Sequence, residues 1–380
     1  MGKANIRSTG FLIRRERTSA QPKPSGTGTP AYRPVNLDTA ALAGRAFERL
    51  LEKYPAMFRD ASAYQQQRAV EDLKDHLGAL QDALATGSPA LLLDYACRAQ
   101  VFFTARHLPG DYVTAGFRVL RELVRKDLPD DLRDDADRFC KLAIAGIRTA
   151  PEEPPPCIDD SNPLAGTARA YLDAVRNADR EGARKIIAGA EASGVRPRDL
   201  YLSVFQPVLR ETGRLWLIQR LSVAEEHFIS ASVEAEIARL HEWLAAEAKG
   251  AEKRGKTVVS ATVEQDLHGI GIRMVTDFFE LDGWDTYFTG ANTPARSLLR
   301  AVRDRNADLV AISCTIPSRL PAVHYLIRSL RADPGTDRAK ILVGGYPFMV
   351  LPGLWKQLGA DACARDAEEA VAAADLLTRT

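Results

Sequence analysis

The sequence predicts a multidomain α and α/β protein, in which two all-helical units precede a doubly wound parallel sheet. Three observations carry this. Between residues 37 and 248, apolar residues recur at three- and four-residue spacing, the period of helices with one buried face. The run Pro151-Glu152-Glu153-Pro154-Pro155-Pro156 cuts that helical stretch in two, because consecutive prolines favour an extended, stiff chain. From residue 256 onward, short β-rich apolar runs alternate with helical patterns, as a parallel sheet with crossover helices requires.

Residues 37–150 read as an all-α domain, with helices over 40–54, 64–85, 89–106, 111–126 and 132–148. The breaks are Pro55, Thr86-Gly87-Ser88-Pro89, Leu108-Pro109-Gly110 and Pro129. Residues 151–163 form the proline-rich linker. Residues 164–248 hold four further helices, at 164–177, 179–190, 197–216 and 222–248, joined by short loops as in a small four-helix bundle. A polar segment with two glycines, 249–255, serves as a hinge. In 256–380 the strands are 258–263, 286–288, 309–313, 341–343 and a short one near Ala362. Helices at 272–281, 295–305, 319–332, 350–358 and 367–377 separate and follow them.

Composition narrows the function. The chain has 380 residues and a formal net charge of +1, so its bulk charge favours neither nucleic acid nor a membrane as a partner. Residues 1–36 differ: Lys3, Arg7, Arg14, Arg15, Arg17, Lys23 and Arg33 stand against Glu16 alone, among many small and turn-forming residues. Such a segment buries too little apolar surface to order itself, and a disordered basic leader is expected. No apolar region follows Arg14-Arg15, so it does not read as an export signal. No run is long and apolar enough to span a bilayer. The five cysteines, Cys97, Cys140, Cys157, Cys314 and Cys363, lack regular spacing; free thiols in a cytoplasmic protein are expected.

The chemistry concentrates after the strands of the last domain. Asp266-Leu267-His268-Gly269-Ile270-Gly271 follows the first strand, Ser313-Cys314-Thr315 the third, and Gly344-Gly345 the fourth. Parallel sheets bind ligands at this carboxyl edge. An Asp-x-His pair can be a surface hydrogen bond, and a Gly-Gly can be a plain turn. Together and in register they suit a large flat metal chelate. His268 would offer a neutral imidazole to the metal, while Asp266 accepts the other ring N–H. Gly269 and Gly271 would let the chain lie close beneath the ligand. Ser313 and Thr315 would donate to a buried nucleotide tail, and Gly344-Gly345 would clear its path.

Here the sequence resembles the B12-binding domains of corrinoid proteins, over about residues 256–380. The resemblance implies a Rossmann-like fold, cobalamin as cofactor, and His268 as the lower axial ligand of cobalt in place of the cofactor's own dimethylbenzimidazole. It makes Asp266, His268, Gly269, Gly271, Ser313, Thr315, Gly344 and Gly345 the cofactor-binding set.

Upstream, Trp216 is followed ten residues later by Glu226-His227. By itself this is a core tryptophan and a solvated pair. Beside a B12 domain, it resembles the four-helix cap of light-sensing, adenosylcobalamin-binding photoreceptors. That implies Trp216 and Glu226 against the adenosyl group and His227 near the upper face. Such receptors have a second histidine directly after the tryptophan; this chain has Leu217, which leaves the upper site after photolysis to His227 or to water. No helix-turn-helix precedes the cap, so direct DNA binding is not expected.

An all-α, globin-like domain ahead of cap and B12 domain resembles the photocobilins, which hold biliverdin beside cobalamin. The segment from Tyr95 to Phe117 then supplies Arg98 and Arg106 for the propionates, with His107 and Tyr112 as further bilin contacts. Plain core aromatics and solvated arginines are the alternative. His76, His241 and His324 receive no role.

The resulting expectation is a light sensor without catalytic activity. Photolysis of bound adenosylcobalamin would shift the cap, change a homo-oligomeric assembly and signal to a downstream protein. The rivals are a corrinoid methyl carrier of a methyltransferase system and a B12-dependent antirepressor.

Overall fold

A computed structural model describes residues 31–248 and 252–379, with the side chains of 245–248 left aside. The basic leader up to residue 30 and residues 249–251 of the polar hinge lie outside the described residues. The chain divides into two compact units, one built on the first five helices and the other on the later helices and the sheet.

The first unit contains α1 (Thr39–Lys53), α2 (Ala63–Thr86), α3 (Ala90–Ala105), α4 (Tyr112–Asp127) and α5 (Asp130–Ile147). Local chemistry sets the ends of α2. Ser62 and Gln65 form a reciprocal capping box, and Gly87 closes the helix in the left-handed region at φ 62°. The core is built on Leu77, Leu80, Phe117, Leu120 and Phe139, all essentially inaccessible. It also encloses polar groups. His76 Nδ1 lies 2.8 Å from the Tyr95 hydroxyl, and its ring stacks on Phe117 at 4.8 Å. Gly116 allows this, since a Cβ there would come within 3.2 Å of the His76 ring.

Asp72 is buried as well and accepts a 2.9 Å hydrogen bond from the Tyr112 hydroxyl. Burial pushes its carboxyl up to about 6, against the Tyr112 hydrogen bond and the Arg68 charge that pull it down. Because the folded value lies above the unfolded one, the contribution to stability is full below about pH 4 and is lost as pH rises through about 6. Asp72→Asn is therefore expected to stabilise the first unit near neutral pH by on the order of 2 kcal/mol, and by much less near pH 4. Calorimetry at the two pH values checks this; a gain equal at both, or a loss near neutrality, contradicts it.

The second unit begins with a helical cap: α6 (Ala165–Arg176), α7 (Arg180–Ala192), α8 (Pro197–Leu200), α9 (Gln206–Leu217) and α10 (Val223–Ala248). The single helix expected over 197–216 is interrupted by a π-helical turn, Tyr201–Phe205. Tyr201, Val204 and Phe205 are fully buried there, so packing holds a backbone distortion that periodicity does not reveal. The proline-rich segment is tied to the cap, because the Cys157 amide donates to Glu211 Oε2 at 2.7 Å. Glu211 is paired in turn with Arg214 at 2.6 Å.

The α/β part follows as β1 (Thr257–Val263), α11 (Gly269–Leu281), β2 (Asp285–Thr293), α12 (Ala295–Asp304), β3 (Leu309–Ser313), α13 (Leu320–Ala332), β4 (Lys340–Gly344), α14 (Tyr346–Val350), α15 (Leu354–Leu358), β5 (Ala362–Ala364) and α16 (Ala367–Leu377). All five strands are parallel, in the order β2-β1-β3-β4-β5. Val258, Leu309 and Leu342 of the sheet pack with Ile272, Phe279, Ala370 and Ala374 of α11 and α16 into one core. Two expectations change. β2 is longer than residues 286–288, continuing past a bulge opposite β1. The helix expected over 350–358 is two short ones, since Pro352 and Gly353 break it between α14 and α15.

Candidate functional site

Strand order places the site. Successive connections leave β1 toward β2 and then cross to β3 on its other side, so the carboxyl ends of β1 and β3 flank a topological switch point. Register aligns Thr262, Ser313, Gly344 and Ala364 in one row across that edge.

Asp266 sits directly above this row and is fully buried. Its Oδ1 accepts from the His268 amide at 3.1 Å and from the His268 ring at Nδ1, 2.7 Å away. Its Oδ2 accepts from the Thr315 amide at 2.6 Å. One carboxylate thus ties the loop after β1 to the loop after β3. Burial pushes the Asp266 carboxyl up, but the His268 ring and the two amides outweigh it, and the net shift is downward. The carboxylate stays ionised, and a carboxylate at Nδ1 fixes the proton there. Nε2 of His268, a ring 36% exposed, is left to coordinate a metal.

The loop is pinned from beneath. Thr262 Oγ1 donates to the Asp266 carbonyl at 2.5 Å and accepts from the Asn292 amide at 2.8 Å. Asn292 Oδ1 in turn accepts from the Gln265 amide at 2.7 Å. Thr262 and Asn292 were absent from the sequence-predicted site. The available signal was a polar residue near the carboxyl end of a mostly apolar central strand, buried and therefore needing partners.

The remaining residues divide by what their backbones face. A Cβ at Gly271 would meet no heavy atom within 4 Å, whereas one at Gly269 would stand 3.1 Å from the Ala291 methyl. Gly344 and Gly345 are glycines because of the protein itself. A Cβ at Gly344 would lie 2.9 Å from the Ala364 carbonyl oxygen; at Gly345, where φ is +108°, it would lie 2.1 Å from that of Cys314. Close approach of neighbouring chain segments therefore demands both glycines, whether or not a ligand tail also passes there. Thr315 acts on Asp266 through its amide, while the Ser313 and Thr315 hydroxyls take part in no hydrogen bond among the described residues and remain available to a ligand. A free imidazole nitrogen, open space over Gly271 and two unengaged hydroxyls on one edge fit a corrinoid with a nucleotide tail.

Comparison with known proteins agrees. A B12 binding domain family matches residues 256–375, and a second B12 binding domain family matches residues 167–241. Dimethylamine corrinoid protein 1 of Methanosarcina acetivorans is 30% identical over 168 residues, which are 44% of this chain and 74% of that protein. The chain belongs to the corrinoid proteins. Dimethylamine corrinoid protein 3 of the same organism is 32% identical over 126 residues, 33% of this chain and 58% of the relative's length. The solved monomethylamine corrinoid protein of Methanosarcina barkeri overlays at a TM-score of 0.49 and 20% identity, over 56% of this chain and 98% of that one. As in other corrinoid proteins, the cofactor is cobalamin, held by a helical cap and a five-stranded parallel α/β domain.

The cap residues of this corrinoid protein are placed unequally. Trp216 is buried. Glu226 is half-buried, and its Oε1 accepts from the Ser230 hydroxyl at 2.9 Å. The His227 side chain is 74% exposed, with Nε2 3.5 Å from Glu226 Oε2.

In the first unit the four residues expected to hold a bilin have other settings. Arg98 is buried and paired with Asp94 at 3.0 Å, and Tyr112 donates to Asp72. Arg106 lies with its guanidinium 3.5 Å from the centre of the Phe102 ring. His107 is exposed, in the left-handed region at φ 59°. Two of the four are committed to carboxylates of their own unit, and a bilin would have to displace these. Among the described residues, no helix is long and apolar enough to cross a membrane.

Proposed function

We propose that this chain is a corrinoid carrier, a non-catalytic subunit that holds cobalamin and presents a methyl group on its upper face to partner methyltransferases. The Asp266 carboxylate joining His268 to the Thr315 amide across the switch point supports the cobalamin site, and the observation that carries the carrier reading is the similarity to corrinoid proteins of methylamine systems. Similarity to dimethylamine corrinoid proteins supports methylated amines as the ultimate methyl source. When bound, the cobalt supplies a site that accepts and releases an alkyl group. The chain's own residues do the positioning: Asp266 keeps the proton on Nδ1 of His268, which would leave Nε2 for the metal, and Thr262 and Asn292 hold the loop. The Ser313 and Thr315 hydroxyls would anchor the nucleotide tail.

A second reading, the light sensor, is favoured by Trp216 with Glu226-His227 ten residues on, and by a helical unit lying ahead of both family matches. In that case the upper substituent is adenosyl, and light changes the cap, the assembly and contact with a downstream protein. The two readings separate in one experiment. The protein is loaded with methylcobalamin and with adenosylcobalamin, affinities are compared, and each complex is illuminated with green light while spectrum and mass are followed. The carrier reading expects tighter binding of the methyl form and an unchanged mass. Preference for the adenosyl form with a light-dependent mass replaces it by the sensor.

A further inference from the structure

One polar cluster of the second unit plays no part in the corrinoid site. Where α10 of the cap packs on α11, His241 meets Asp277 and Glu280, and one ligand atom from each lies within 4.8 Å of the others. His241 Nδ1 is 3.7 Å from Asp277 Oδ1. That is too long for a hydrogen bond but close to the roughly 3.4 Å that separates two ligand atoms of one tetrahedral zinc. Nδ1 is buried and has no hydrogen-bond partner, only the carboxylate at ion-pair distance, a costly state for an imidazole nitrogen that a metal between the two would relieve.

Asp277 is already oriented. Its Oδ2 accepts from the Tyr201 hydroxyl of the cap at 2.9 Å, and its Oδ1 from Arg273 Nε at 3.0 Å. A carboxylate has about four lone-pair positions, so these two bonds leave capacity for a metal. The carboxylate of Glu280, one helical turn after Asp277, makes no hydrogen bond among the described residues.

We propose that His241, Asp277 and Glu280 form a binding site for a divalent transition metal, zinc by preference, that clamps α10 to α11. Imidazole with two carboxylates is a zinc ligand set, and three protein ligands leave the fourth position to water. Tyr201 and Arg273 are the outer partners that hold Asp277 in place. The clamp has a consequence for the cap. α11 begins directly after His268, so a metal at its far end fixes the cap on the element that positions the cobalt ligand.

The test uses the whole 380-residue chain without cobalamin and zinc alone, titrated against a chelating dye. One equivalent is expected to bind. His241→Ala and, separately, Glu280→Gln should each weaken binding at least about 10-fold, while His268→Ala leaves it unchanged. Zinc should raise the melting temperature of the wild type and not that of His241→Ala. The proposal is overturned if no stoichiometric binding occurs. Binding lost with His268→Ala yet indifferent to His241→Ala and Glu280→Gln also overturns it, by placing the metal at the corrinoid ligand. Cobalamin binding by His241→Ala, measured in parallel, reports on the corrinoid reading independently.

Discussion

Replacing His268 by alanine is expected to lower cobalamin affinity by at least about 10–100-fold and to remove the absorption signature of histidine-ligated cobalt. Nδ1 is held by Asp266, and among the described residues the loop between β1 and α11 contains no other imidazole. Fold stability should fall only modestly, because the ring supplies one of three hydrogen bonds to the Asp266 carboxylate and both amide bonds remain. Asp266→Ala should be worse for the protein while acting on the same ligand. It strips the half-buried Thr315 amide of its acceptor, which costs up to about 1–3 kcal/mol, and frees the imidazole to rotate. The Asp266 carboxyl is shifted downward on folding. Its contribution is therefore full above the unfolded value near 4 and is lost only as pH falls through the lower folded value. Cobalamin titrations of both variants, with melting curves alongside, check the separation. Equal loss of stability in the two would contradict it.

Gly345→Ala is expected to destabilise the second unit by more than about 3 kcal/mol, through strain and backbone overlap. Its φ of +108° is foreign to alanine, and the added carbon would stand 2.1 Å from the Cys314 carbonyl oxygen and 2.8 Å from the carbonyl carbon. Neither partner is a flexible side chain that can move aside. A drop in melting temperature of roughly 6–12 °C follows for a unit of this size. Gly271→Ala is the contrast. A Cβ there meets nothing within 4 Å, so melting should be unaffected while cobalamin binding weakens. If Gly345→Ala melts like the wild type, the account of β3 and β4 is wrong. If Gly271→Ala binds cobalamin normally, that position is not beneath the macrocycle.

The alternation of strands and helices was legible from residue 256 onward because central parallel strands are short apolar runs bounded by turn residues. The Asp266–His268 pair was legible because both partners lie two residues apart on one loop. What the sequence hid depends on contacts between distant segments. The bond from the Thr315 amide to Asp266 joins residues 49 apart and uses the backbone, which carries no residue signature. The support from Asn292 required knowing that β2 runs to Thr293. The internal need for Gly344-Gly345 was hidden too, because the neighbours that a Cβ would strike belong to the adjoining strand ends. His241 on a helix reads as an ordinary polar residue until α11 brings Asp277 and Glu280 beside it.

The most direct measurement is electron paramagnetic resonance of the protein loaded with cobalamin in the cobalt(II) state, with histidine labelled by nitrogen-15. If His268 Nε2 is the axial ligand, the nitrogen splitting changes from a triplet to a doublet on labelling and disappears in His268→Ala. A triplet that survives the label would mean that the cofactor's own benzimidazole still holds the metal, and the central claim would be false.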